Sequence, residues 1–278
     1  MHTILEKKQF SKDVFYMRVH APEIAKNRRA GQFIILQLDV DFGERIPLTV
    51  ADADPNAGWI ALVIQAVGAT TIKLCQKNVG DSIAAILGPL GRPTHIEKVG
   101  KVVCVGGGIG VAPLHPIAQA YKKAGNEVVI IIGGRTKELV IFEDEMRKIA
   151  DELIVVTDDG SYGRKALVTE PLKELCQSAQ PPNEAVAIGP PIMMKFCAET
   201  TRPFGIHTVV SLNTIMIDGT GMCGGCRVTV DGKTKFVCVD GPEFDGHKVD
   251  FDNMMMRMKA FKPREDHDRH VCRVGMHG

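Results

Sequence analysis

The chain has no excess of charge of either sign. Its 34 Lys and Arg stand against 33 Asp and Glu, for a formal net charge of +1. Phosphate-backbone recognition needs a strong basic field, so a nucleic-acid partner is not expected. No apolar run reaches the length of about 20 residues that a helical membrane span requires. The first residues, from Met1 to Lys8, contain no apolar signal core. A cytoplasmic location with no membrane partner is therefore expected. Nor do the eight cysteines resemble a dense disulfide framework in 278 residues, which fits a reducing compartment. Cys75, Cys104, Cys176 and Cys197 stand singly in apolar or helical surroundings and read as small buried hydrophobes. Cys272, in a polar tail, has no assigned role.

What is present fits two or three folded domains. Val14–Val19, Phe33–Leu38 and Trp59–Gln65 are short β-rich runs separated by Pro, Gly, Asp and Asn, as expected of an antiparallel barrel. Glu44 to Thr49 closes a strand with a cation, a proline and a hydroxyl. Gly68-Ala69-Thr70-Thr71 opens a single helix to about Asn78, whose first amides suit a phosphate.

From Lys101 the pattern changes. Val102-Val103-Cys104-Val105 is a continuous apolar strand of the parallel-sheet kind. It runs into Gly106-Gly107-Gly108-Ile109-Gly110-Val111-Ala112-Pro113-Leu114 and a helix through Tyr121. A glycine turn between strand and helix presents amides to a pyrophosphate, although Val111 takes the last glycine position of G-x-G-x-x-G. Three more strands end in glycine-rich turns. These are Gly133-Gly134-Arg135, Asp158-Asp159-Gly160-Ser161 and Gly189-Pro190-Pro191. The second strand lacks the terminal acid that holds an NAD ribose, and Arg135 stands nearby. Asp158 or Asp159 can supply an acid from the next strand, so the choice between NAD and NADP stays open.

Near the end, Asp218-Gly219-Thr220-Gly221-Met222-Cys223-Gly224-Gly225-Cys226 is answered by Cys238, giving C-x2-C-x11-C. A dithiol needs no third cysteine and a structural zinc site wants four ligands. A plant-type 2Fe–2S cluster uses C-x4-C-x2-C…C, and Asp218 occupies the position of its first cysteine. The fourth ligand is either that carboxylate or a residue elsewhere.

A barrel followed by a nucleotide-binding half resembles the ferredoxin–NADP reductase superfamily. Gly106 to Leu114 resembles its G-G-G-x-G-x-A-P-L nicotinamide loop. Ser211-Leu212, Met216, Asp218-Gly219 and Gly221 to Cys226 resemble the cluster loop of the dihydroorotate dehydrogenase B electron-transfer subunits. The likeness extends to the small subunits of NADH-dependent ferredoxin:NADP oxidoreductases, also called sulfide dehydrogenases, in which aspartate replaces the first cysteine.

The resemblance implies a two-domain reductase module with a C-terminal 2Fe–2S segment. The expected divisions are an FAD-binding barrel over 1–96, a nicotinamide-nucleotide domain over 97–209 and a cluster segment over 210–278. It assigns FAD to Arg45, Pro47, Leu48, Thr49, Val63, Ile64, Gln65, Gly68, Thr70 and Thr71, with the Thr49 hydroxyl near flavin N5. NAD(H) falls to Gly107, Gly108, Gly110, Val111, Ala112, Pro113, Gly134, Arg135, Asp158, Asp159, Gly160, Gly189 and Pro190. Iron falls to Asp218, Cys223, Cys226 and Cys238. One departure is that R-x-Y-S places Arg three residues before the hydroxyl, whereas Arg45 is four before Thr49 and Ile46 fills the Arg place. The flavin-stacking C-terminal aromatic of plant-type reductases has no counterpart.

The implied activity passes a hydride from NADH to FAD and single electrons through the cluster, with no protein acid or base. His2, His267, His270 and His277 accordingly read as solvated. Met254 to Met258 read as packing in a short helix. The implied partner is a larger iron–sulfur flavoprotein subunit that binds NADPH and ferredoxin, giving an electron-bifurcating heterodimer. The alternative is an electron-transfer subunit for dihydroorotate or sulfide oxidation. A zinc module on a degenerate nucleotide fold is the contrasting class.

Overall fold

The structure is a computed structural model that describes residues 1–39 and 43–274, with side chains through residue 271. The Cys272 side chain and His277 lie outside the described residues. The first ninety residues form two antiparallel sheets. The larger contains β1 (His2–Ser11), β2 (Val14–His20), β5 (Asp52–Asp54), β6 (Trp59–Gln65) and β7 (Ser82–Ile83), in the order β5-β6-β2-β1-β7. The smaller contains β3 (Phe33–Gln37), β4 (Arg45–Thr49) and β8 (Ala85–Leu90), in the order β4-β3-β8. Helices α1 (Pro22–Asn27) and α2 (Ala69–Gln76) close the ends.

Strands β3 and β6 read as apolar almost throughout because both their faces are buried, against different partners. Successive side chains point to opposite faces of a strand. Ile34 and Leu36 of β3, and Ile60, Leu62 and Ile64 of β6, fill the barrel core. Their neighbours turn outward: Phe33 and Ile35 into one flank of the second half, Ala61 and Val63 into the other. A one-residue slip of either strand would exchange these two sets.

The second half is a strand–helix alternation of β9 (Lys101–Gly107), α3 (Val111–Lys123), β10 (Glu127–Gly134), α4 (Glu143–Arg147), β11 (Glu152–Thr157), β12 (Arg164–Lys165), α5 (Thr169–Gln177), β13 (Glu184–Ile188), α6 (Pro191–Thr201) and β14 (His207–Ser211). The strands pair in parallel as β12-β11-β10-β9-β13-β14. Val103 and Val105 face one helix layer while Val102 and Cys104 face the other, which accounts for an unbroken apolar run. Strand order reverses between β9 and β13, and α/β sheets bind ligands at such a switch point.

The last segment has no core of its own. A hairpin of β15 (Arg227–Val230) and β16 (Lys233–Phe236) turns at Asp231-Gly232, both with positive φ, as a two-residue hairpin loop requires. Then come α7 (Val237–Asp240), β17 (Glu243–Asp245), α8 (Phe251–Met258) and α9 (Lys262–Val274). Strand β17 adds antiparallel to β14 and becomes the edge of the nucleotide sheet. Cys226, Val228, Val237, Cys238, Phe251 and Met254 share one hydrophobic cluster with Val103, Val105 and Cys197. A cut between 209 and 210 therefore separates sequence but not packing.

Candidate cofactor sites

At the switch point, β9 ends in Gly107, a single 3-10 turn spans Gly108–Gly110, and α3 begins at Val111. Gly108 has φ +55°, a conformation that favours glycine. Gly110 is required by contact: a Cβ there would lie 2.4 Å from the Ile188 carbonyl oxygen at the end of β13. The turn thus sits against the neighbouring strand end, and the N-terminus of α3 follows it at the switch point, where a diphosphate could bind. Pro113 costs nothing in the first turn, where its missing N–H would have no helical acceptor. Gly189 and Pro190 line the opposite wall. Met193 of α6 covers both walls, with its sulfur 2.3 Å from a Cβ built on Gly107 and 2.9 Å from one on Gly189. Met193 was not singled out in the sequence. Its only signal is its position one turn into the helix after a glycine-proline strand end.

The adenosine end of the crevice is polar. Asp158 and Asp159 follow β11, and their amides donate to the Gly134 and Arg135 carbonyls at 3.0 and 3.2 Å. Asp159 Oδ1 accepts from the Ser161 amide at 2.9 Å, and these Ser161 bonds hold its carboxyl below the usual range. Arg135, Asp158 and Gly160 are exposed at the same sheet edge.

On the barrel, β4 is the edge strand of its sheet. Pro47 sits within that strand opposite Ile35, so its missing donor faces no partner. Thr49 pairs with Phe33 and Leu48 with Ile34. Arg45 is exposed, and its Nε donates to Gln37 Oε1 at 3.4 Å. Val63, Ile64 and Gln65 end the central strand β6 just before α2. Thr71 folds its hydroxyl back onto Gly68, accepting from that amide at 3.0 Å, so it caps the helix. Thr70 donates to Glu44. The Ala69 and Thr70 amides head an eight-residue helix beside β4, and a flavin diphosphate fits there.

The cluster loop is organised by one carboxylate. Asp218 Oδ1 accepts from the Thr220 amide at 2.8 Å and Oδ2 from the Cys223 amide at 2.6 Å. The Thr220 amide foremost, with those of Cys223 and Gly221, holds the Asp218 carboxyl below its ordinary value. Cys226 and Cys238 are buried with their sulfurs 3.2 Å apart, while Cys223 is exposed. Burial, then the bond to Cys226, pushes the Cys238 thiol up to about 12; metal binding would remove that proton.

Among the described residues no three acids, thiols or imidazoles converge on a single ion. The four candidates instead fall into two pairs, Asp218 with Cys223 and Cys226 with Cys238. A two-iron cluster needs one pair of ligands per iron, so this donor set fits it better than a zinc ion. The loop lies against the smaller barrel sheet. Gly219 has φ +73°, and a Cβ there would lie 2.7 Å from Ile35 Cγ1 and 2.8 Å from Leu90 Cδ1. Ile35 is the cross-strand partner of Pro47, one of the candidate FAD residues. This glycine therefore lets the loop rest on the sheet that contains β4.

A barrel, a switch-point glycine turn and a paired iron-ligand loop together define a reductase-like oxidoreductase with nicotinamide, flavin and iron–sulfur sites. Comparison with known proteins agrees. Residues 104–199 match the oxidoreductase NAD-binding domain, and residues 213–250 match the iron-sulfur cluster binding domain of dihydroorotate dehydrogenase B. A dihydroorotate dehydrogenase B (NAD(+)) electron transfer subunit homolog of Thermotoga maritima is 48% identical over 265 residues, covering 95% of this chain and 93% of its own. The corresponding subunit of Fusobacterium nucleatum is 30% identical over 90% of this chain and 98% of its own. A solved structure of an NADH-dependent reduced ferredoxin-NADP oxidoreductase superposes with a TM-score of 0.92 at 46% identity, over 97% of both chains. The chain belongs to the family of dihydroorotate dehydrogenase B electron-transfer subunits and their homologues. Its cofactors are FAD, a 2Fe–2S cluster and NAD(H).

Proposed function

We propose that this chain is the NADH-facing electron-transfer subunit of an electron-bifurcating NADH-dependent ferredoxin:NADP oxidoreductase. When bound, FAD exchanges a hydride with the nicotinamide and the 2Fe–2S cluster relays electrons singly to a larger partner subunit. The chain's residues supply position and electrostatics. The α3 amides and Gly110 seat the dinucleotide at the switch point. Thr49 would lie beside the flavin, and the α2 amides would bind its diphosphate. Asp218, Cys223, Cys226 and Cys238 would hold the cluster. The ribose rests on the acids that follow β11.

The observation that carries this reading is the seat of Gly219 on Ile35 and Leu90. It brings the Asp218 to Cys226 loop against β3 and β8, beside the strand assigned to the flavin, which supports a short route from flavin to cluster. Asp218, at the position where plant-type clusters have cysteine, favours the ferredoxin:NADP reading over dihydroorotate oxidation. The larger subunit would carry its own flavin and 4Fe–4S clusters and bind NADPH and ferredoxin. Purification of the native complex decides between the readings. A partner with 4Fe–4S signals, and ferredoxin reduction that requires both NADPH and NAD(+), supports this one. A partner with FMN alone that oxidises dihydroorotate supports the alternative.

A further inference from the structure

Three parts of the chain meet at Glu243. It begins β17, opposite Ser211 at the carboxyl end of β14. Its carboxyl reaches the segment between barrel and nucleotide half, where the Thr94 hydroxyl donates to Oε1 at 2.6 Å. It also abuts the barrel: a Cβ on Gly31 would lie 2.7 Å from the same oxygen. Two residues beyond Gly31 is Phe33, the cross-strand partner of Thr49. Five residues before Glu243 is Cys238. The carboxyl thus stands where the barrel, the connecting segment and the sheet-edge strand β17 meet.

The surroundings provide no counter-charge. No Lys, Arg or His pairs with Glu243 among the described residues, although Lys248 neutralises Asp245 on the same strand at 3.1 Å. From the other elements, the ionisable groups that bear on it are Glu184 of β13 and the Tyr121 hydroxyl of α3, which donates to Glu184. Thr94 is its hydrogen-bond donor. Burial raises the carboxyl to about 7, with Thr94 pulling the other way and Glu184 adding to the rise. Both protonation states are therefore accessible near neutral pH.

We propose that Glu243 is a redox-linked proton acceptor that positions one proton beside the cluster and flavin. An oxidised cluster, one electron from the flavin, a Glu243 carboxylate and one proton from solvent give a reduced cluster and a Glu243 carboxylic acid. Passage of the electron to the partner reverses the step and returns the proton to solvent. The carboxyl thereby offsets the charge that the electron brings into a low-dielectric junction. The inference rests on the cofactor assignment above. It assigns a role to a residue outside both ligand sets.

The test uses the flavin- and cluster-loaded protein, native and Glu243→Gln, first compared by absorbance and EPR. Absent flavin or 2Fe–2S signals in the native protein would overturn the cofactor reading itself. With the signals present, the cluster midpoint potential is titrated between pH 6 and pH 8. The native potential is expected to fall as pH rises, each tenfold drop in proton activity moving it by up to about 59 mV. In Glu243→Gln that dependence is lost, and in Thr94→Val its midpoint moves to higher pH. A native cluster potential flat with pH, or a slope that survives Glu243→Gln, overturns the proposal. Should Glu243→Gln fail to load cofactor, infrared redox-difference spectra of the native protein decide. A protonated-carboxyl band that appears on cluster reduction supports it, and the absence of such a band refutes it.

Discussion

The nucleotide crevice and the cluster loop are built on opposite principles. The crevice is a product of packing: apolar strands with both faces buried, and a turn fixed because Gly110 has no room for a side chain against the Ile188 carbonyl. The cluster loop is a product of hydrogen bonds. Residues 217 to 225 lie outside any helix or strand, gathered on the Asp218 carboxylate, with Ile217 and Met222 left exposed. A packed site keeps its shape when its ligand leaves. A loop held mainly by its ligands and one carboxylate does not, because its ordering entropy is offset by cofactor bonds. The half that binds a diffusible nucleotide is preformed, and the half that keeps a resident cluster depends on it.

The largest effect should come from Cys226→Ser, which removes a buried ligand from a site with few others. We expect complete loss of 2Fe–2S absorbance and EPR signal with NADH-dependent flavin reduction retained; survival of the cluster would break the contrast. Gly110→Ala attacks the packed site. Its Cβ meets backbone rather than a movable side chain, so we expect destabilisation of roughly 3 kcal/mol and weakened NADH binding. A variant with native thermal stability and affinity would show that packing does not define the crevice. Glu243→Gln should flatten the stability profile. The folded carboxyl lies at about 7 against an ordinary 4.5, so its contribution is fully present below about 4.5 and is lost as pH rises through about 7. By that shift the variant gains up to roughly 3 kcal/mol over the native protein at pH 8, read from denaturant unfolding. Gly219→Ala strains a positive φ and presses on Ile35, with an expected cost of about 1–2 kcal/mol. Slower electron transfer from flavin to cluster in stopped flow is expected; an unchanged rate would remove Gly219 from the electron path. The smallest effect belongs to Arg164→Ala. Its pair with Glu174, at 2.6 and 2.7 Å, is exposed, so denaturant unfolding of the variant should match the native protein, and a clear loss would show the pair to matter.

Much of the fold was legible because local rules wrote it. The continuous apolar runs at 102–105 and 128–132 imply strands buried on two faces, and they are. The short β-rich runs with turn residues between them became barrel strands, and Cys75, Cys104, Cys176 and Cys197 are buried as their surroundings suggested. Met254 is buried in α8, with Met255 and Met258 packed beside it, while Met256 is exposed. The glycines were harder. Gly219 abuts two barrel side chains and Gly221 abuts Val239, contacts that no local pattern announces. Met193, Glu243 and Thr94 carried no pattern at all. Thr94 and Glu243 are 149 residues apart, and no periodicity encodes a contact of that range.

The sequence by itself determined the secondary-structure alphabet and the order of the halves. Those follow from side-chain period and backbone φ, which are properties of a few neighbouring residues. Tertiary structure alone decided that the cluster segment joins the nucleotide sheet through β17, that its loop rests on β3 and β8 of the barrel, and that one carboxyl is held where the three parts meet. The physical reason is burial. Whether a strand edge is covered, a glycine crowded or a carboxyl deprived of water depends on what distant chain arrives beside it.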